Sequence, residues 1–197
     1  MRGTSALGRI ALLLALSTLG SAALAASSPA APPLLWERCV GAAADDVSCR
    51  IPRGVASDPN DGTVYVTDQA NRRIVVFSPW GSIERAWGWD VVESGPGDDT
   101  TAPEDQFEIC VPANGDVCKA GVQGSGSGQF GSIPQGVAVD SSGAVYVVDF
   151  SNRRVQKFDS EGNFVLMFGG QVNKTKVEEA APAAQQNRCT AASGDVC

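Results

Sequence analysis

Six cysteines, two Asp-x-x-Asn turns and two arginine pairs are the residues of this chain with chemical potential, and the chain holds no histidine. The cysteines fall in close pairs, Cys39/Cys49, Cys110/Cys118 and Cys189/Cys197. The last two pairs sit in matching contexts, CVPANGDVC and CTAASGDVC, and CVGAAADDVSC is a looser copy. A zinc site calls for Cys-x-x-Cys spacing or histidine partners, and neither is present. Six cysteines allow many pairings, but the repeated spacing favours three local disulfides, each worth about 2.5–3 kcal/mol in the chain-entropy picture. Without histidine, the commonest general base and the usual triad base are missing, so no catalytic residue is assigned.

Asp68 with Asn71, and Asp149 with Asn152, offer carboxylate and amide oxygens at one spacing. A metal could use them, but short polar side chains at the same place in a repeat read better as turn devices bonding the local backbone. The pairs Arg72-Arg73 and Arg153-Arg154 invite a phosphate partner, which a formal charge of −7 supports poorly. One arginine of each pair is expected to lay its stem over apolar surface and bond turn carbonyls. Arg72 and Arg153 are the candidates for surface contact, together with Trp80, placed in a turn where a ring can stack on a sugar or a protein. Gly124–Gly128 is glycine-rich like a phosphate cradle but lacks the Lys-Ser/Thr that completes one, and reads as a flexible lead-in. No cofactor is implied, and no metal.

The elements that must position these residues recur. Residues 51–88, IPRGVASDPNDGTVYVTDQANRRIVVFSPWGSIERAWG, return at 133–170 as IPQGVAVDSSGAVYVVDFSNRRVQKFDSEGNFVLMFGG. The turn after the first run is one residue longer in the first copy (Asp58–Gly62 against Asp140–Gly143), a place where a repeat tolerates insertion. Each holds four short runs rich in β-branched and aromatic residues, in the second copy Gly136–Val139, Val145–Val148, Arg154–Phe158 and Phe164–Phe168. Four antiparallel strands per repeat predict an all-β chain of β-propeller blades.

The pattern Pro-x-Gly-Val-Ala-x-Asp, Val-Tyr-Val-x-Asp, Asn-Arg-Arg-Ile/Val and a closing aromatic-Gly resembles the NHL repeat, as does the lead-in Gly-Ser-Gly-Ser-Gly-Gln-Phe at 124–130. The resemblance implies four-stranded blades in a propeller of about six. Two blades are legible, so a longer propeller or a ring of several chains is expected, because two blades leave outer sheet faces bare. The resemblance also raises enzymes of the lactonase and lyase kinds, whose metals are held by residues from several blades or by histidines. Two blades cannot surround a channel, and the histidines are absent. Some relatives of this kind bind nucleic acid on a basic face, and the acidic charge argues against that here. Their ubiquitin-ligase activity belongs to an attached zinc domain that the sequence does not show.

Residues 1–25 read as a secretory signal peptide, with Arg2 and Arg9 before an apolar stretch and Ala23-Leu24-Ala25 as the cleavage site. Loss of those two arginines takes the formal charge from −7 to −9. A Pro/Ala-rich tether at 26–35 and a disulfide loop at 36–50 precede the first blade. An acidic insertion at 89–132 follows it, in which Phe107–Cys110 and Val117–Lys119 are expected to form a disulfide-stapled hairpin. A connector with the last disulfide loop fills 171–197 and ends as though truncated. It contains Asn173-Lys174-Thr175, a glycosylation sequon. The reading is a secreted, extracellular (or periplasmic or cell-surface) binding or scaffold module for protein or glycan, with no membrane span. A propeller enzyme is the alternative, held by fold analogy alone.

Overall fold

A computed structural model describes residues 49–98 and 106–197. The first repeat folds into strands β1 (Pro52–Ser57), β2 (Val64–Asp68), β3 (Arg73–Phe77) and β4 (Ile83–Trp89). The second gives β8 (Pro134–Val139), β9 (Val145–Asp149), β10 (Arg154–Phe158) and β11 (Phe164–Gly169). Between them lie β5 (Val92–Ser94), β6 (Phe107–Cys110) and β7 (Val117–Cys118). The chain closes with helices α1 (Lys174–Glu178) and α2 (Ala183–Gln186) and strand β12 (Arg188–Thr190).

Each repeat forms an antiparallel sheet in the expected order, and each sheet carries a fifth strand. The orders are β1-β2-β3-β4-β6 and β8-β9-β10-β11-β12. The turns suit their places. Gly62 and Gly143 adopt φ of 80° and 82° between the first two strands of each blade, and Gly81 and Gly162 adopt 79° and 100° between the third and fourth, a region glycine enters without steric cost.

The fifth strands correct the reading of residues 89–132. Phe107–Cys110 does not pair with Val117–Lys119. Instead β6 adds to β4, with Ala86 opposite Cys110 and Trp87 opposite Ile109, while β7 pairs with β5. In the second blade β12 adds to β11, with Met167 opposite Cys189. Ala86 and Met167 are equivalent positions, so the two outer strands dock in the same register. The unit is therefore a four-stranded blade plus an outer strand leading into a cysteine clip.

Side-chain alternation gives each sheet two faces. Blade 1 presents Tyr65, Ile74, Val76 and Trp87 to blade 2, which answers with Val145, Val147 and Phe158; Phe130 fills the same core. Trp87 is wholly buried and meets Tyr65 edge-on at 5.9 Å and Phe158 at 5.7 Å. The inner strands also meet, with Thr67 Oγ1 donating to the Gln135 carbonyl at 2.9 Å. A Cβ on Gly54 would stand 2.5 Å from that same oxygen, so glycine is needed for this approach. The other face of blade 1 is closed too, its Val66, Val75, Phe77 and Ala86 clustering with Cys49.

Candidate functional site

The two Asp-x-x-Asn-Arg-Arg turns build the same polar cluster, one per blade. Each aspartate ends the second strand, with its side chain on the buried face. Asp68 Oδ1 accepts from the Arg50 N–H at 2.7 Å, and Oδ2 accepts from Asn71 Nδ2 at 2.8 Å and Arg73 Nε at 3.1 Å. Asp149 Oδ1 accepts from the Gly131 N–H at 3.0 Å, and Oδ2 from Asn152 Nδ2 at 2.8 Å and Arg154 Nε at 3.0 Å. Both ion pairs are buried, with side-chain exposures of 0% and 0% in the first and 3% and 0% in the second. Burial pushes the Asp68 carboxyl above its usual range, against the pull of Arg73 and the donors from Arg50 and Asn71. Burial likewise lowers the Arg154 guanidinium, against the pull of Asp149.

The arginines do more than neutralise the carboxylates. Arg73 Nη1 donates to the Lys119 carbonyl at 2.8 Å. Arg154 donates to the carbonyls of Ser125, Gly126 and Gln129 at 2.6, 2.8 and 2.6 Å. Asn152 Nδ2 adds the Gly124 carbonyl at 2.7 Å. The glycine-rich segment 119–129 is thus gripped from both blades, its backbone acceptors met by guanidinium donors. The sequence reading placed these bonds on turn carbonyls; they fall on the lead-in, because the buried side chain points across the sheet edge. Gln156 was not anticipated. It accepts from the Gly128 N–H at 2.9 Å and donates to the Gln129 carbonyl at 2.8 Å. The one signal was a polar residue where the first repeat has Val75.

With the acceptors filled this way, the clusters are anchors rather than open ligand sets. Among the described residues no three His, Cys, Asp or Glu side chains converge as a metal would require. Cys110 is bonded to Cys118 and Cys189 to Cys197, with Cα atoms 5.6 and 5.5 Å apart. Cys39 lies outside the described residues, as do the stretches read from sequence as a signal peptide and a tether; Cys49 is buried. Both described clips run through a 3-10 turn to a left-handed glycine, Gly115 or Gly194, then Asp-Val-Cys. Asp116 accepts from the N–H groups of Gly97 and Val111, at 2.7 and 2.8 Å. Asp195 accepts from Asn173 Nδ2 at 2.8 Å. That last bond bears on the sequon: Asn173 is 2% exposed and its amide nitrogen also donates to the Arg188 carbonyl. In the folded chain this amide is closed to a glycan.

The remaining candidates lie at the surface. Arg72 and Arg153 occupy the left-handed region at φ of 51° and 54°, which turns each away from its buried neighbour. Arg72 is half-buried and Arg153 exposed. They share a rim with Arg50 and Arg53, both exposed, and none of the four has an ion pair among the described residues. The opposite ends of the strands carry Asp61, Asp140, Asp159 and Glu161. Trp80 is 71% exposed at the tip of the β3–β4 turn.

Comparison with known proteins matches the NHL repeat at residues 50–77 and 132–158, that is, the first three strands of each blade. Protein lin-41 of Caenorhabditis elegans is 36% identical over 115 residues, 54% of this chain and 10% of that protein. Protein brain tumor of Drosophila melanogaster is 46% identical over 52 residues, 26% of this chain and 5% of that protein. B-box type zinc finger protein ncl-1 of Caenorhabditis elegans is 49% identical over 47 residues, 24% of this chain and 5% of that protein. The chain spans a tenth or less of the length of these relatives.

Proposed function

From the premise that this chain is an NHL-repeat protein built of propeller blades, we propose that it is a secreted scaffold that binds acidic protein surfaces through its arginine rim. The observation that carries the reading is the segregation of charge. Arg50, Arg53, Arg72 and Arg153 gather at one end of the blades, without an ion pair among the described residues, in a chain whose formal charge is −7. Loops on a rigid scaffold are where binding residues concentrate, and the anchors Asp68–Arg73 and Asp149–Arg154 supply that rigidity. Complementary charge chiefly sets encounter rate and partner choice.

The immobilised protein, challenged with an extracellular extract, is expected to retain partners that elute as salt rises. Replacing Arg50 and Arg53 with alanine and Arg72 with asparagine, which tolerates its left-handed backbone, should remove them, and nuclease treatment should not. Retention unchanged in that variant, or lost to nuclease, would sink the reading. The extracellular setting has its own test: a mature N-terminus at Ala26 in culture medium. Trp80 supports a second reading, an exposed ring stacking on a sugar; a glycan array on which Trp80→Ala loses signal would favour it.

A further inference from the structure

The face of blade 2 that points away from blade 1 is open, although its counterpart in blade 1 is the interface between the blades. Phe168 stands where Trp87 stands and is 42% exposed, against 0% for the tryptophan. Val148 and Phe150, at the places of Thr67 and Gln69, are 40% and 58% exposed. Val148, Val155 and Phe168 floor a groove of about 760 Å³, and Phe150 and Arg153 line it as well.

The open face is not a faithful copy of the closed one. Where blade 1 has Val76 and Ile109, it carries Lys157 and Arg188. Arg188 lies directly across from Phe168 in the β11–β12 pairing, hence on the same face. Lys157 is engaged, with Asp140 at 3.8 Å and the Tyr146 ring at 4.9 Å. Arg153 and Arg188 have no ion pair among the described residues. Cations have thus replaced aliphatic side chains around an apolar floor. A second copy docked here face to face would bring arginines against arginines. Head-to-tail docking is closed as well, since the opposite face of blade 1 is already covered.

We propose that this groove binds a segment of a partner protein in which bulky apolar side chains are flanked by carboxylates. The apolar groups cover Val148, Val155 and Phe168, and the carboxylates meet Arg153 and Arg188. Arg153 stands at the border of this surface and the rim, but Arg50, Arg53 and Arg72 do not line the groove, so their removal tests the rim alone.

The test titrates the full chain against three labelled peptides: Glu alternating with Val and Phe, the same peptide with Lys for Glu, and oligoglutamate. The first should bind, and the other two should bind at least about fivefold more weakly. Phe150→Ala, Phe168→Ala and the pair Arg153→Asn with Arg188→Ala should each weaken the first peptide roughly five- to tenfold. Asparagine is chosen at Arg153 because it tolerates the left-handed backbone there. Removal of Arg50, Arg53 and Arg72 should leave this binding intact. Equal binding of the lysine peptide or of oligoglutamate overturns the proposal, as does indifference to all the groove variants. Self-association that blocks the peptide and disappears in Phe168→Glu overturns it too, since a second copy would then be the occupant.

Discussion

At the scale of single residues, the buried aspartates dominate. Read as a turn bond, Asp149 is worth about 1–2 kcal/mol. The structure raises that figure, because Asp149→Ala would strand the guanidinium of Arg154, 6% exposed, without its counter-charge. Breaking a buried pair from one side costs about 3–5 kcal/mol, and denaturant midpoints should show it. A loss no larger than that of an exposed serine variant would remove the anchoring role. Asp140 behaves oppositely. Bonds from the Ser142 hydroxyl first, then from backbone N–H groups and Tyr146, hold its carboxyl down at about 2. A lowered carboxyl contributes stability that is present above the unfolded value near 4 and lost as pH falls toward 2. Asp140→Asn should flatten the stability profile in that window alone, as acid titration of the unfolding midpoint would reveal.

At the scale of elements, the strands were legible because β-branched alternation and glycine turns repeat in register across two copies. The fifth strands were not. Phe107–Cys110 is short, and its partner β4 lies beyond a loop, so local spacing suggested a hairpin with the nearer Val117. The duplicated register of Cys110 on Ala86 and Cys189 on Met167 appears only in space. The anchors were half legible: the sequence marks an aspartate, an asparagine and two arginines, but cannot say which arginine turns inward. The positive φ of Arg72 and Arg153 decides that. The clips predict a graded response. Replacing Cys110 and Cys118 with alanine should cost about 2–3 kcal/mol or less and speed amide exchange in β6 and β7 more than in β2 and β3. Uniform acceleration across blade 1 would mean that the clip supports the whole sheet.

At the scale of the molecule, one interface joins the blades, and repeat arrays draw their stability from such nearest-neighbour terms. Trp87 fills the centre of it. Trp87→Ala should cost about 3–5 kcal/mol and split one unfolding transition into two, one per blade. A single transition shifted down intact would show that the inner-strand contacts suffice. Trp87 and Phe168 hold equivalent places in the two repeats. Their opposite exposures follow from neighbours, which no single repeat can report.

The adjacency of clip and anchor has a mechanical consequence. Cys118 ends the first clip, and Arg73 grips the very next carbonyl, that of Lys119, at 2.8 Å. A pull along the backbone therefore meets a covalent stop and then a guanidinium hydrogen bond before it reaches the second blade. The loop from Cys110 to Cys118 cannot be drawn out under load, because its ends stay 5.6 Å apart. In single-molecule stretching, reduction should lengthen the extension released with this clip by about 20–25 Å. The clip thus acts as a strain relief, keeping tension on one blade from being spent in slack chain beside the next.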